Sequence, residues 1–138
     1  MANARLARPP DSFRPDRFEI INESGTVPLA ELAPGVGFDC MVGVHNDARN
    51  LTTGHIAIAP GAHLPCHTLT ASESITLLSG AAVVSVEGRQ YSFGPLDNIT
   101  IPRGLAHSIR NTSMAAPARL HVATACRSPV RERVIMVP

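Results

Sequence analysis

The sequence predicts an all-β protein, folded as a sandwich or a closed barrel of antiparallel strands. Short apolar segments recur along the 138 residues, and 12 prolines and 10 glycines are scattered between them, as the turns of such a fold require. Ile56 and Ile58 alternate with smaller or polar neighbours, which is the period of a strand with one face in a core. No segment carries an apolar stripe of helical period and helix length.

The predicted strands follow one another with turn residues between them. Glu87-Gly88 predicts a tight hairpin turn, because glycine adopts backbone conformations that other residues resist. In chain order, the predicted strands lie near Phe18–Ile21, Phe38–His45, Thr52–Ala59, Leu64–Thr70, Ser74–Leu78, Ala82–Val86, Gln90–Phe93, Asn98–Ile101, Ala106–Asn111 and Arg119–Thr124.

The two ends of the chain have different expected roles. Residues 1–15 are expected to form a flexible arm, and residues 16–138 a single domain. The apolar stretch Val134–Val137 is interpreted either as a last strand of the protein's own sheet or as an edge strand that pairs with a second subunit.

Composition excludes several classes of function. The formal net charge is +1, and no basic stripe with interleaved aromatic residues indicates nucleic-acid binding. The apolar runs are too short to span a bilayer, and the first residues contain no secretory signal, so a cytoplasmic location is expected. Cys40, Cys66 and Cys126 have no CxxC spacing, which argues against a disulfide framework and favours buried small apolar side chains. The expected partner is a small molecule or a second copy of the chain.

The segment from residue 60 to residue 111 contains the candidate functional residues. Its first half holds Gly61, His67, Leu69, Glu73 and Gly80, and its second half holds Leu96, Pro102, Gly104, His107 and Asn111. These spacings resemble the two motifs of the cupin superfamily, G-x5-H-x-H-x3-4-E-x6-G and G-x5-P-x-G-x2-H-x3-N. Eight of the ten positions match; Leu69 replaces the second histidine and Leu96 replaces a glycine. The resemblance implies a small single-domain cupin, a jelly-roll barrel also described as a double-stranded β-helix.

The resemblance also implies a metal site formed by His67, Glu73 and His107. Imidazole and carboxylate ligands together suit a divalent transition metal such as Fe, Mn, Ni, Co, Cu or Zn. With Leu69 in place of a histidine, the ligands reduce to two histidines and one carboxylate, the set of the facial triad, which leaves coordination positions open. The alternative is a metal-free barrel that lost its site together with the second histidine.

His63 is an additional candidate ligand. Strand parity places it on the same face as His67, but a straight strand separates the two by about 13 Å, too far for one ion. Pro65 offers a break that swings His63 inward; otherwise His63 lines the mouth of the pocket. The residues predicted to line the pocket are Leu69, Ile75, Leu77, Ile109 and Tyr91.

The remaining motif residues and histidines are expected to be structural. Pro102 and Gly104 are interpreted as turn geometry and Asn111 as a cap on backbone groups at a strand end. His45, His55 and His121 match no ligand position and are expected to be structural or exposed.

Two classes of function remain open. The first is a metal-dependent enzyme of dioxygenase, isomerase, decarboxylase or lyase type that acts on a small organic molecule. The second is a non-catalytic cupin that binds or senses a small molecule, with or without metal. A homodimer is expected because small cupins commonly pair.

Overall fold

The structure, a computed structural model, describes residues 27–42, 50–126 and 134–135. All regular elements in these residues are strands. They are β1 Val27–Ala33, β2 Val36–Val42, β3 Thr52–Ile58, β4 His63–Thr68, β5 Glu73–Ser79, β6 Ala82–Val86, β7 Arg89–Phe93, β8 Asn98–Ile101, β9 His107–Asn111, β10 Ala118–Thr124 and β11 Val134–Ile135. No helix in the described part of the chain has the length and apolar character needed to cross a lipid bilayer.

The strands form two antiparallel sheets. One sheet has the order β1-β2-β3-β10-β5-β8, and the other has the order β11-β4-β9-β6-β7. Strands far apart in sequence are neighbours in both sheets, as in the pairings of β3 with β10 and of β4 with β9. This arrangement confirms the predicted all-β jelly-roll barrel.

The predicted strands between residues 52 and 124 are present, with ends that differ by at most two residues. Strand β1 was not predicted, because Pro28 and Glu31 interrupt its apolar pattern. It is an edge strand whose pairing with β2 shifts register after Pro28, and an edge with a bulge is where a sheet tolerates proline. The predicted strand Phe18–Ile21, the arm at residues 1–15 and His45 lie outside the described residues.

The C-terminal stretch pairs with the chain's own sheet. Val134 and Ile135 lie opposite Thr68 and His67 of β4 in antiparallel register. Of the two interpretations, the last strand of the protein's own sheet is therefore confirmed for these two residues.

The core lies between the sheets and comes from the alternating positions of their strands. In β3 and β10 every second residue is buried, because successive side chains of a strand point to opposite faces of the sheet. Paired residues of the two strands face the same side. The fully buried large side chains include Ile56, Ile58, Leu64, Ile75, Leu77, Ile101, Ile109 and Leu120. Burying such a side chain contributes roughly 1.5–3 kcal/mol, so this apolar layer holds the two sheets together.

Several tight turns contain residues with positive φ angles, and not all of these residues are glycines. Glu87 and Gly88 both have positive φ angles, 48° and 81°, in the β6–β7 hairpin, which confirms the predicted turn. Gly104 has a φ of 85° in the turn before β9, as expected. Leu96 has a φ of 70°, the left-handed region in which glycine is favoured. That angle explains why the motif has a glycine at this position.

Candidate metal centre

Three side chains from three different strands meet between the sheets. His67 lies on β4, Glu73 begins β5 and His107 begins β9. One ligand atom from each of the three lies within 4.8 Å of the others, and the residues are only 0, 4 and 2% exposed. His67 and His107 are directly opposite each other on paired strands of one sheet, while Glu73 faces them from the other sheet.

Both imidazoles are held by the same local hydrogen bond. Nδ1 of His67 lies 2.8 Å from the carbonyl oxygen of Pro65, and Nδ1 of His107 lies 2.9 Å from that of Leu105. A carbonyl oxygen only accepts, so Nδ1 carries the proton in each ring and donates it. In the neutral rings the lone pair is then on Nε2. A metal-binding histidine has this arrangement, in which a second hydrogen bond selects the tautomer and orients the ring.

The contact between Nε2 of His107 and Oε1 of Glu73 requires a proton or a cation between the two atoms. Nε2 of His107 lies 3.2 Å from Oε1 of Glu73, and both residues are buried. A lone pair on a neutral Nε2 and a carboxylate oxygen repel each other at this distance unless a proton or a metal cation lies between them. The donor set, two imidazole nitrogens and one carboxylate, suits a divalent transition metal. The residues present therefore fit the metal that the sequence predicts.

The second carboxylate oxygen of Glu73 has a partner that sequence analysis missed. Oγ1 of Thr124 donates to Oε2 of Glu73 at 3.0 Å, and Thr124 is fully buried. Thr124 pairs with Glu73 across β10 and β5. The alternation of β10 indicates that Thr124 points inward, but only the pairing of β10 with β5 shows which residue it meets.

His63 does not belong to the cluster, and the parity argument that placed it on the face of His67 is wrong. Between Leu64 and His67, β4 has one more residue than β9 has between Ile109 and His107. This bulge at residues 65–66 reverses the alternation, so that Leu64 and His67 are both buried while His63 is exposed. The break anticipated at Pro65 is present, and it turns His63 outward.

The predicted lining residues occupy different environments. Ile75, Leu77 and Ile109 are fully buried in the hydrophobic core. Leu69 is also buried, just beyond the end of β4, and its carbonyl oxygen accepts a hydrogen bond from the Gly104 amide at 2.8 Å. Tyr91 lies opposite Val84 on the edge strand β7 and is 42% exposed. That these residues line a ligand pocket stays a prediction.

The other residues singled out in the sequence lie outside the cluster of His67, Glu73 and His107. The Asn111 side chain bonds three backbone groups, which confirms its expected role as a cap. His55 and His121 form a half-buried pair away from the cluster, with ring centres 5.6 Å apart. Cys40 and Cys126 are buried as predicted, and burial raises the pKa of the Cys40 thiol. Cys66 is only half-buried, because it lies in the bulge of β4.

A family model described as "Cupin domain" matches residues 54–124, which is just over half of the chain. A comparison with curated protein sequences gives no significant match. The matched segment includes all three residues of the cluster.

Solved structures share the fold at low sequence identity. The polyketide cyclase RemF from Streptomyces resistomycificus superposes with a TM-score of 0.71 at 18% identity, over 88% of this chain and 87% of RemF. Oxalate decarboxylase from Bacillus subtilis gives 0.68 at 22% identity, over 84% of this chain and 31% of the enzyme. A salicylate 1,2-dioxygenase mutant from Pseudoaminobacter salicylatoxidans, in complex with gentisate, gives a TM-score of 0.62 at 16% identity, over 70% of this chain and 27% of the dioxygenase chain. At these low sequence identities, the comparisons show that the fold is shared.

Proposed function

Because this chain belongs to the cupin family, we propose that it binds one divalent transition metal through His67, Glu73 and His107 and uses it in a reaction of a small organic molecule. The observation that carries the proposal is the convergence of three buried donor side chains. The Nδ1 atoms of His67 and His107 are hydrogen-bonded to backbone carbonyls, which leaves Nε2 of each ring for a metal. The fold neighbours include a cyclase, a decarboxylase and a dioxygenase, which supports a reaction without selecting one.

Each residue has a distinct part in this function. His67 and His107 each supply an Nε2 lone pair in an orientation fixed by the Nδ1 hydrogen bond. Glu73 supplies the negative charge that favours a cation in the buried site. When bound, the metal would act as a Lewis acid toward an oxygen of the substrate. Two histidines and one carboxylate leave coordination positions open for that substrate.

Burial sets the character of the substrate region. The strands that carry the ligands continue as the apolar residues Ile75 and Ile109, both fully buried. We propose that these side chains, with Leu69, Leu77 and Tyr91, form the wall against which an organic substrate packs. Such a wall, with few polar groups, is typical of small-molecule sites.

A second candidate is a cupin that binds a small molecule without transforming it. In the part of the chain that the structure describes, the buried Asp, Glu, Lys, Arg and His side chains are limited to the three cluster residues. If all three bind metal, none of them is left as a separate buried acid or base. Substrate binding without turnover is the outcome that would favour this candidate.

The first experiment is the metal content of protein purified without an affinity tag. We expect stoichiometric metal in the wild type and its loss in His67→Ala and His107→Ala, because each variant removes one of three ligands. His121→Ala is the matched control, since His121 is half-buried outside the cluster. Iron would favour oxygen chemistry, whereas zinc or nickel would favour isomerisation or lysis. A wild type without metal, even after incubation with several divalent ions, contradicts the proposal.

The second experiment separates the enzyme from the binding protein. Metal-loaded protein is incubated with a panel of small hydroxy- and keto-acids, with oxygen uptake and product mass as readouts. We expect turnover that the His107→Ala variant lacks. Thermal stabilisation by an acid without any product would support the binding candidate. The enzyme proposal fails if metal-loaded protein neither transforms nor binds any acid.

A further inference from the structure

Thr124 makes a buried hydrogen bond to the oxygen of Glu73 that does not contact His107. Its Oγ1 donates to Oε2 at 3.0 Å, while Oε1 lies 3.2 Å from Nε2 of His107. The two oxygens of one carboxylate therefore have different partners, one a hydroxyl and the other an imidazole. Thr124 matches no position of the two sequence motifs.

The inward face of β10 is apolar apart from Thr124. Its other inward residues, Ala118, Leu120 and Val122, are buried and apolar. Thr124 is the residue of β10 that pairs with Glu73 on one side and with Thr52 of β3 on the other. Thr52, Thr124 and Glu73 thus form one row of polar inward positions on three neighbouring strands.

A hydrogen bond to one carboxylate oxygen favours a glutamate conformation that presents the other oxygen. The terminal torsion of a glutamate side chain is broad and roughly two-fold, so an unrestrained carboxylate rotates and exchanges its two oxygens. The hydroxyl of Thr124 restrains that torsion in a site without bulk water, where a hydrogen bond to a charged group is strong.

We propose that Thr124 is a positioning residue for the metal centre. Its hydroxyl holds Oε2 of Glu73 so that Oε1 is the oxygen presented to His107. The inference rests on the proposed metal-binding function and adds the residue that determines how Glu73 takes part. A carboxylate that offers one oxygen occupies one coordination position and leaves more positions for a substrate than a carboxylate that offers both.

The neighbouring threonine distinguishes this role from a general structural one. Thr52 is also buried and inward-facing, but its Oγ1 donates to the carbonyl oxygen of Cys126 at 2.7 Å. Thr52→Val therefore removes a buried hydroxyl from the same row without removing a hydrogen bond to Glu73. It is the matched control for Thr124→Val, which replaces the hydroxyl by a methyl group of similar size.

The test measures the affinity for Co²⁺ in the full-length chain, by competition with a chelator, together with the visible absorption spectrum of the bound ion. Outer partners of ligands typically change metal affinity by about 10- to 100-fold, and we expect a loss of that size in Thr124→Val. We also expect an altered Co²⁺ spectrum in that variant. Thr124→Ser, which keeps the hydroxyl, should restore affinity and spectrum. Thr52→Val should change neither, whatever it does to stability.

The outcomes separate this inference from the proposed function. A wild type that does not bind Co²⁺ or any other divalent ion overturns both. Normal wild-type binding that Thr124→Val leaves intact, or that Thr52→Val weakens equally, overturns only the role of Thr124. If Thr124→Val does not fold, Thr124→Ala removes the same hydroxyl without adding an apolar branch, and unchanged Co²⁺ affinity in that variant overturns the inference as well.

Discussion

His67 and His107 lie directly opposite each other on β4 and β9, with ring centres 4.2 Å apart and ring planes inclined by 57°. They are 40 residues apart in sequence, and their proximity depends on the bulge that turns His67 inward. Each ring is oriented by the carbonyl of the residue two positions earlier. The pair is therefore prepared by its local backbone before any metal binds, which lowers the cost of organising the site.

Metal binding should stabilise the fold, because the three donors converge only when both sheets are assembled. At a free metal concentration of 100 times Kd, we expect the free energy of unfolding to rise by about 2.7 kcal/mol. The check is thermal unfolding of the metal-loaded protein and of the same sample after EDTA. Glu73→Gln should remove most of the increase, and Glu31→Gln, at an exposed site on β1, should not. Equal shifts in the two variants would contradict the assigned ligand.

Leu96→Gly should stabilise the protein. Leu96 is 76% exposed, so little burial is lost, and its φ of 70° is a conformation that costs a side chain about 1–2 kcal/mol. The greater freedom of glycine in the unfolded chain offsets part of this, and we expect a net gain of about 0.5–1 kcal/mol in chemical denaturation. Leu51→Gly, at another exposed leucine without a positive φ, should destabilise instead. A loss of stability in both variants would show that the backbone at residue 96 is not strained.

Asn111→Ala should be strongly destabilising. Its Nδ2 donates to the carbonyl oxygens of Ile58 and Ala116, and its Oδ1 accepts from the Ser113 amide, in a side chain that is 1% exposed. Removing it leaves buried backbone groups without partners, and we expect a cost of about 3 kcal/mol in urea unfolding. Asn98→Ala is the control. Asn98 also bonds three groups, but it is exposed and water replaces it, so its cost should be about 1 kcal/mol or less.

Gly54→Ala should be much more harmful than Gly37→Ala. A methyl group at residue 54 would collide with the carbonyl oxygen of Asp39 and come within 2.7 Å of the Phe38 ring, whereas nothing lies within 4 Å of one at residue 37. We expect Gly54→Ala to lower the free energy of unfolding by about 1–3 kcal/mol, in the range of core overpacking. Gly37→Ala should be neutral or slightly stabilising, since glycine is unfavourable in a strand. Similar unfolding midpoints for the two variants would be inconsistent with the packing of Phe38 over Gly54.

Stability should fall below neutral pH partly through His121. Burial lowers the pKa of His121, and the neighbouring His55 adds to the effect. The unfolded chain then takes up a proton near the ordinary pKa of about 6.5, while the folded chain resists it until a lower pH. The contribution to stability is complete above about pH 6.5 and is lost as the pH falls through the lowered value. We expect unfolding free energies measured from pH 7.5 to 5 to fall less steeply in His121→Gln. Parallel curves for the two proteins would contradict this origin of the pH dependence.

The linear pattern of residues was sufficient to predict the fold class and, through its resemblance to the cupin motifs, the three clustered residues. Strand alternation depends on local sterics and on which positions are apolar, so it is visible in stretches such as β3 and β10 without knowledge of their partners. The spacings that carry His67, Glu73 and His107 are likewise properties of the linear chain. What they predict, three donors brought together, is what the two sheets assemble.

The orientation of His63 and the partner of Glu73 depend on strand pairings that the linear pattern of residues does not reveal. The alternation of faces along β4 is interrupted at the bulge. A bulge is defined by the register between two paired strands, so the sequence of one strand alone does not show it. Thr124 reaches Glu73 because β10 pairs with β5, a contact between residues 51 positions apart. Periodicity reports which face a side chain takes, whereas the pairing of strands distant in sequence decides what it meets there.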